Sequence, residues 1–356
     1  MKSEELKLAT PRYLPFTIYC LLFFGLAGCG KEPFYQEQSF VFGTLVEVSI
    51  YGEDEARAKQ LAQQVLASFD RLHYMLHAWK PDELTRINAV LAKNPQRTAI
   101  TPEMAAIIRH ATEVAEQSGE LFNPAIGKLV GLWGFHSDEV LPANPDPGEI
   151  ARIVSAKPKM SDVVVEGEEI YGKNPEVQLD FGGYAKGYAL DDAAAYLRAQ
   201  GVKNALINIG GNIMALGKHG DRAWRVGIQH PRQPSAIATL ELKDGEAIGT
   251  SGDYQRYFMR DGKRYCHIID PRTGFPVQGV QAVTVVIAPG VHAGALSDAT
   301  SKPPFIEGVA GWRGAAKKLG VELAMLIDER GEVYVTQALK QRLEFQGKSL
   351  LIHEIP

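Results

Sequence analysis

"VQLDFGGYAKGYALDDAAAYLRAQG", residues 177–201, predicts a strand, a glycine loop and a helix in direct succession. Gly182 and Gly183 would let the backbone approach a ligand or another segment closely. Lys186 stands where the helix begins, and the free N–H groups of a helix start together with a lysine suit a phosphate or diphosphate. A tight strand-to-helix turn without a ligand explains the same residues, so this stretch alone leaves both interpretations open.

The rest of the chain indicates an α+β fold, with one large domain built on a mostly antiparallel sheet with flanking helices. Between residues 203 and 289, short apolar segments alternate with turn residues, which is typical of strands. The Pro-rich stretch 137–149 is interpreted as a surface loop, because the composition on its two sides does not differ.

Upstream of the glycine loop, alternating apolar residues predict a single strand over 39–51. The side chains expected to share its buried face are those of Phe40, Phe42, Val46, Val48 and Ile50. Apolar residues at helical spacing predict a helix over 54–77.

Two further helices are predicted from their end signals and spacing. One has Thr101 as N-cap and Pro102 as its first residue, and it ends at Gly119. The other covers residues 308–319. Pro303 disfavours helical geometry at Lys302, so the residues before this helix are not expected to be helical.

The first residues differ from the rest in composition. Residues 1–28 combine an early group of basic residues with an apolar stretch, which predicts a signal peptide. The stretch ends in a lipobox-like Leu-Ala-Gly-Cys, so Cys29 is expected to carry lipid, with residues 29–38 as a tether and 39–356 as the folded domain. The alternative is an uncleaved anchor. Both place the domain in the bacterial cell envelope, held at a membrane and facing the periplasm.

The global charge gives no reason to expect nucleic acid as a partner, because the formal net charge is −4 and 22% of the residues are charged. After loss of residues 1–28, the chain keeps two cysteines. Cys29 would carry lipid, and Cys266 is predicted to be a small buried residue in a strand rather than a nucleophile.

Three further stretches carry candidate site residues. "NIGGNIMALG" (208–217) and "GTSGDYQRYF" (249–258) add glycine turns beside hydroxyl and amide groups. "HIIDPRTGFPV" (267–277) contains good turn chemistry in Asp270, Pro271 and Gly274. Turn chemistry does not explain His267, whose ring could act as a general base near neutral pH.

Taken in order, "FGTLVEV", "PDELTRIN", "LFNPAIG", "LDFGGYAKGYALD", "NIGGN", "TSGDYQRYF", "HIIDPRTGFPV" and "SDATSKPPFIEG" resemble the bacterial flavin transferases of the ApbE type. The resemblance runs from about residue 39 to beyond residue 330. It implies a membrane-anchored enzyme outside the cytoplasm that splits FAD with Mg²⁺. FMN would pass to a threonine or serine hydroxyl of a partner protein, a flavoprotein subunit of a membrane redox complex, and AMP would be released.

The resemblance also implies roles for individual residues. His267 matches the essential histidine, to which we assign the role of general base. Cofactor-binding positions are Phe42, Trp79, Leu121, Phe122, Asn123, Asp180, Lys186 and Ile268. Trp79 stands where the family has a stacking tyrosine, Phe42 where it has a methionine, and Asn123 where it commonly has aspartate. The metal positions are the Gly183 carbonyl, Asp298 and Ser301.

Lys302 departs from the family pattern, because it stands where the last metal ligand is usually threonine. A protonated lysine has only donors and cannot bind Mg²⁺. Two interpretations remain. Asp298, Ser301, Gly183 and water could hold Mg²⁺ against the diphosphate, which is the favoured one, or the Lys302 ammonium could replace some of the metal's charge.

Two other functions compete with FMN transfer. Water could replace the acceptor hydroxyl, which would make the protein an FAD pyrophosphatase. The altered residues Asn123 and Lys302 would also fit a non-catalytic periplasmic flavin-binding lipoprotein, although the presence of His267, Asp180 and Asp298 argues against it.

Overall fold

The computed structural model describes residues 33–93, 96–137, 139–347 and 350–356. The predicted signal peptide, the lipobox-like stretch and Cys29 lie outside these residues. The helices of the described part are α1 (Glu55–Met75), α2 (Glu83–Leu91), α3 (Pro102–Ser118), α4 (Gly127–Leu132), α5 (Pro147–Ala156), α6 (Ala185–Ala199), α7 (Ala293–Thr300), α8 (Lys302–Lys318) and α9 (Gln337–Lys340).

The described part also contains strands, numbered here in chain order. They are β1 (Phe34–Val41), β2 (Thr44–Tyr51), β3 (Arg97–Ala99), β4 (Val163–Glu166), β5 (Glu169–Gly172), β6 (Asn204–Ile209), β7 (Asn212–Leu216), β8 (Trp224–Gln229), β9 (Ala236–Leu242), β10 (Ala247–Gly252), β11 (Tyr257–Arg260), β12 (Lys263–Cys266), β13 (Val280–Ile287), β14 (Leu323–Asp328), β15 (Val333–Thr336), β16 (Glu344–Phe345) and β17 (Ile352–Ile355).

A nine-stranded sheet organises the described residues, in the order β1-β2-β6-β7-β10-β13-β14-β15-β17. Its neighbouring strands pair antiparallel except β15 and β17, which pair parallel. Smaller sheets are β16-β9-β8, β3-β5-β4 and the hairpin β11-β12. The α+β class with a large, mostly antiparallel sheet is thus confirmed.

The sheet is covered on both faces by apolar groups. Strand β13 shows this alternation: Val283 and Val285 pack with Phe305 and Trp312 of α8, whereas Val286 packs into the cluster formed with β8 and β9. Each fully buried side chain of this size contributes about 1.5–3 kcal/mol. At the other end of the sheet, β2 and β6 pack against α1 and α6.

The predicted single strand over 39–51 is wrong, because the chain forms a hairpin there. Strand β1 begins at Phe34, within the range expected to be a tether, and the turn lies at Phe42 and Gly43. Both turn residues have positive φ, 56° and 69°, as in a two-residue hairpin loop that follows the strand twist. The turn breaks the alternation, so Phe40 faces away from Val46 and is 73% exposed.

The strand predicted to precede the glycine loop is also absent. Gln178 makes only an isolated parallel bridge to Ile126. The Leu179 amide instead donates to Asn88 Oδ1 at 2.7 Å, and the Asp180 amide donates to the Pro124 carbonyl at 2.8 Å. The segment is extended but is held by loop and side-chain acceptors.

The helix predictions hold better than the strand predictions. Helix α1 matches 54–77, and α3 has the predicted N-cap and ends at Gly119. Helix α8, however, begins at Lys302 rather than 308, and it contains a kink at Gly308. The expectation of non-helical geometry before it is wrong, because Pro303 lies in the first helical turn, where a missing N–H is tolerated.

The expected surface loop over 137–149 is irregular between residues 139 and 146, and α5 begins at Pro147. Cys266 is buried at the end of β12, as predicted, and its burial raises the pKa of the thiol to about 12. Within the described residues, no helix combines the length and apolar character needed to cross a membrane.

Helices α6 and α7 pack unusually close together, and this contact sets the position of the glycine loop. A Cβ on Gly187 would lie 2.2 Å from the Gly294 carbonyl oxygen, and a Cβ on Gly294 would lie 2.3 Å from the Gly187 carbonyl oxygen. Asp191 of α6 accepts hydrogen bonds from the Gly294 and Ala295 amides at 2.7 and 2.8 Å. Only glycine fits this crossing.

We expect Gly187→Ala to lower the free energy of unfolding by about 2 kcal/mol or more, since the added methyl group would separate α6 from α7. The matched control is Gly314→Ala in α8, where no atom outside the adjacent helix backbone lies within 4 Å of an added Cβ. That change should stabilise the protein by up to about 1 kcal/mol through helix propensity. Urea denaturation followed by circular dichroism measures both, and equal stabilisation of the two variants would contradict the packing argument.

Candidate functional site

A cavity of about 610 Å³ opens where the glycine loop, the β1–β2 turn and the start of α8 meet. The structure brings together nearly all residues predicted for the site. Those that line the cavity are Phe42, Trp79, Leu121, Phe122, Asn123, Asp180, Gly183, Lys186, His267, Ile268, Asp298 and Lys302. Ser301 is not among the lining residues.

Asp180 and Trp79 form one wall of the cavity. The Asp180 carboxylate accepts a hydrogen bond from the Gly182 amide at 2.8 Å, which fixes the glycine loop. Its other oxygen accepts from Trp79 Nε1 at 3.3 Å. The Trp79 ring is also held beside Gly131, where an added Cβ would lie 2.9 Å from the indole. A large flat aromatic surface is thereby presented in a defined orientation.

The residues around this wall are fixed by contacts of their own. Phe42, at the hairpin turn, meets His73 edge-on with a ring-centroid distance of 5.6 Å. Asn123 donates to the Pro158 carbonyl at 2.9 Å and accepts from the Ala125 amide at 3.0 Å. The Asn123 side chain therefore fixes the backbone of the 121–126 loop, a role that its amide group allows.

Lys186 lies in the first turn of α6, beside amides that already have acceptors. The Tyr184 and Ala185 amides donate to the Phe181 carbonyl, and the Gly187 amide donates to Asp298 Oδ2 at 3.2 Å. The sequence argument for free amides at this helix start is not supported at these positions. The lysine ammonium supplies the positive charge of this loop instead.

His267 stands in a cationic part of the cavity. Desolvation is the largest cause that lowers the pKa of the imidazole, and Lys186, Arg256 and Lys302 lower it further, to about 3. The ring is therefore neutral at pH 7. Nδ1 lies 3.2 Å from the Arg256 carbonyl oxygen. If Nδ1 carries the ring proton, it donates a hydrogen bond to that carbonyl, and Nε2 is left free to accept a proton.

Asp298 and Lys302, four residues apart, form an ion pair across the end of α7 and the start of α8. The Asp298 side chain is 3% exposed and that of Lys302 is 16% exposed. Burial raises the pKa of the Asp298 carboxyl, but Lys302 and Lys186 lower it by more, so its pKa lies below the usual range. Burial lowers the pKa of the Lys302 ammonium below its ordinary value, and the contact with ionised Asp298 opposes this effect and favours the charged form.

These residues do not fit a divalent metal site. One Asp298 carboxylate oxygen pairs with Lys302 and the other accepts from the Gly187 amide. The Ser301 hydroxyl donates to the Asp298 carbonyl at 2.7 Å and lies 2.7 Å from the Ser251 hydroxyl. Within the described ranges, no group of three or more His, Cys, Asp or Glu side chains could hold a metal ion.

The sequence interpretation did not single out several residues that line the same cavity. They include Thr44, Phe135, His136, Thr250, Ser251, Tyr254 and Arg256. Arg256 donates to the carbonyls of Phe135 and Ser137 at 2.9 and 2.6 Å, which closes the wall behind His267. A single arginine among aromatic residues in "YQRYF" was the available signal, and it is a weak one.

Comparisons with known proteins agree with this geometry. The profile of the ApbE family matches residues 42–326. "FAD:protein FMN transferase" of Rhodobacter capsulatus is 40% identical over 312 residues, which is 88% of this chain and 59% of that protein. "FAD:protein FMN transferase" of Klebsiella pneumoniae (strain 342) is 33% identical over 261 residues, 71% of this chain and 77% of that protein.

A solved structure supports the fold independently. The ApbE protein from Thermotoga maritima superposes with a TM-score of 0.78 at 29% identity, covering 87% of this chain and 99% of that chain. The profile match extends over most of the chain and includes the residues of the cavity from Phe42 to Ile306. The chain belongs to the ApbE family.

Proposed function

We propose that the protein transfers FMN from FAD to a threonine or serine hydroxyl of an acceptor protein and releases AMP. The observation that carries the proposal is the meeting of three features in one cavity: the Trp79 ring, the Lys186 and Lys302 ammonium groups and the neutral His267. The names of the relatives from Rhodobacter capsulatus and Klebsiella pneumoniae support the same reaction.

FAD would bind along the cavity with its two ends on different walls. The isoalloxazine ring would stack against Trp79, beside Phe42 and Ile268, because large aromatic surfaces favour offset stacking. The adenine half would lie at residues 121–123. Between them, the diphosphate would lie by Lys186, whose charge partly neutralises its two negative charges.

The reaction exchanges one P–O bond for another. The acceptor hydroxyl oxygen attacks the phosphorus of the FMN half, and its proton passes to His267 Nε2. The bond between that phosphorus and the bridging diphosphate oxygen breaks, and AMP leaves with the bridging oxygen. A phosphoester of FMN on the acceptor side chain results.

The charges in the cavity make the basicity of His267 depend on whether FAD is bound. In the free protein, burial and, to a lesser extent, the nearby cations lower the pKa of His267 and keep it neutral but weakly basic. A bound diphosphate would offset their field with about two negative charges, which raises the affinity of Nε2 for a proton. His267 would thus become an effective base only beside bound FAD.

Mg²⁺ does not enter this mechanism, because the oxygens of Asp298 and Ser301 already have partners within the protein. The acceptor is proposed to be a flavoprotein subunit of a membrane redox complex. We also propose a lipid anchor at Cys29 that holds the domain outside the cytoplasm; the sequence of the first 29 residues supports it.

We expect His267→Ala to lower FMN transfer by about 10²–10⁴-fold, since the acceptor hydroxyl loses its base. FAD affinity should change little. Flavin fluorescence of proteins separated in a denaturing gel measures transfer, with membranes from cells that lack this chain as the source of acceptor. Titration of FAD measures binding.

His353→Ala, in β17 and outside the cavity, is the matched control and should transfer normally. Normal transfer by His267→Ala would disprove the role of the histidine. AMP release by the unaltered protein without flavin on any protein would indicate an FAD pyrophosphatase instead.

The pH dependence of kcat/KM for FAD tests the low pKa of His267. This parameter reports groups of the free enzyme. A base with a pKa of about 3 is already unprotonated at pH 5, so kcat/KM should vary less than about threefold from pH 5 to 7.5. A tenfold fall centred near pH 6.5, the value of an unperturbed histidine, would contradict the account. Circular dichroism at each pH checks that the protein stays folded.

A further inference from the structure

We propose that the Lys302 ammonium occupies the position of a divalent metal ion at the diphosphate, so that this chain transfers FMN without a metal. The inference rests on the proposed function and concerns the source of positive charge in the same cavity. The observation behind it is that the Lys302 side chain packs against both Asp298 and Gly183 of the glycine loop.

The Lys302 side chain lies between the glycine loop and Asp298. Its ammonium donates to the Asp298 carbonyl oxygen at 2.6 Å and pairs with Asp298 Oδ1. A Cβ on Gly183 would lie 2.9 Å from Lys302 Cε and 3.7 Å from Nζ. The lysine therefore fills the space that a cation bridging the Gly183 loop and Asp298 would need.

The oxygens around this position are used by hydrogen bonds that a metal would have to break. Mg²⁺ requires near-octahedral oxygen ligation at about 2.0–2.1 Å. Both carboxylate oxygens of Asp298 and the hydroxyl of Ser301 have protein partners. A metal here would also displace the largely buried Lys302 ammonium from its counter-ion, which is unfavourable.

The lysine retains a donor for substrate. An ammonium has three N–H donors, and two are accounted for by the carbonyl and carboxylate of Asp298. Lys302 lines the cavity, so the third can donate to a diphosphate oxygen. Lys186 supplies a second charge on the same side, since both lysines act electrostatically on His267 and Asp298. Both ammonium groups can therefore donate to the diphosphate, while the Asp298 carboxylate balances the charge of Lys302.

The test compares FMN transfer by the full chain in metal-free buffer containing EDTA with transfer in millimolar Mg²⁺. Membranes from cells lacking this chain serve as acceptor. The unaltered protein should transfer at rates within about threefold of each other in the two buffers. Transfer that is lost in EDTA and restored by Mg²⁺ would overturn the proposal.

Two variants test whether the Lys302 ammonium replaces the charge of a metal ion or only forms a structural ion pair with Asp298. Lys302→Thr frees the oxygens of Asp298 and adds a hydroxyl; it should lose about 100-fold or more in EDTA and recover in Mg²⁺. Lys302→Met should stay inactive in both buffers, and Lys317→Met, an exposed lysine of α8, should match the unaltered protein. Lys302→Thr that transfers normally in EDTA would overturn the proposal, and thermal unfolding verifies folding.

Measuring FAD affinity by titration allows failure of this inference to be distinguished from failure of the proposed function. If the unaltered protein transfers no flavin in either buffer, the proposed function fails. The affinity for FAD still tests the inference in that case. The unaltered protein should bind FAD equally well in EDTA and in Mg²⁺, whereas Lys302→Thr should bind FAD more tightly when Mg²⁺ is present. An affinity of the unaltered protein that requires Mg²⁺ would contradict it.

Discussion

The buried carboxylate of Asp298 links three helices that meet at the cavity. It lies in α7, accepts a hydrogen bond from the Gly187 amide in α6 and pairs with Lys302 at the start of α8. This geometry requires the glycine contact between α6 and α7, because any larger residue would move the amide out of reach. The first turn of α6, which carries Lys186, is thereby held beside the start of α8.

The same group contributes to the electrostatics of the cavity. The lining carries three cations, Lys186, Arg256 and Lys302, and two carboxylates, Asp180 and Asp298, so one positive charge is left in excess. That excess suits an anionic substrate. Burial, reinforced by the same cations, keeps the imidazole of His267 uncharged. In the proposed mechanism, substrate binding and the basicity of His267 are therefore linked through charge.

Sequence alone was sufficient where local signals act. The cap residues of α3 and the spacing in α1 identified those helices, and the motif residues from Phe42 to Lys302 do meet in one cavity. The β1–β2 turn was missed because Phe42 occupies positive φ, which apolar residues rarely adopt. The pattern of apolar and polar residues alone therefore did not predict a turn at this position.

Other features depended on tertiary contacts. The start of α8 was misplaced because prolines signal a break inside a helix but are tolerated in its first turn. As a result the i, i+4 spacing of Asp298 and Lys302 was not recognised as an ion pair. Ser301 was predicted to bind metal, and that role remains unsupported since its hydroxyl bonds to Ser251 and Asp298.

A crystal structure of the FAD complex, grown with Mn²⁺ and measured at the manganese edge, tests the central claim most directly. Mn²⁺ prefers carboxylate and carbonyl oxygens, so it would reveal any metal site at Asp298. The account predicts diphosphate oxygens about 2.7–3.0 Å from the ammonium groups of Lys186 and Lys302, and no anomalous peak beside Asp298. A manganese peak between Asp298 and the Gly183 carbonyl, with Lys302 displaced, would contradict it.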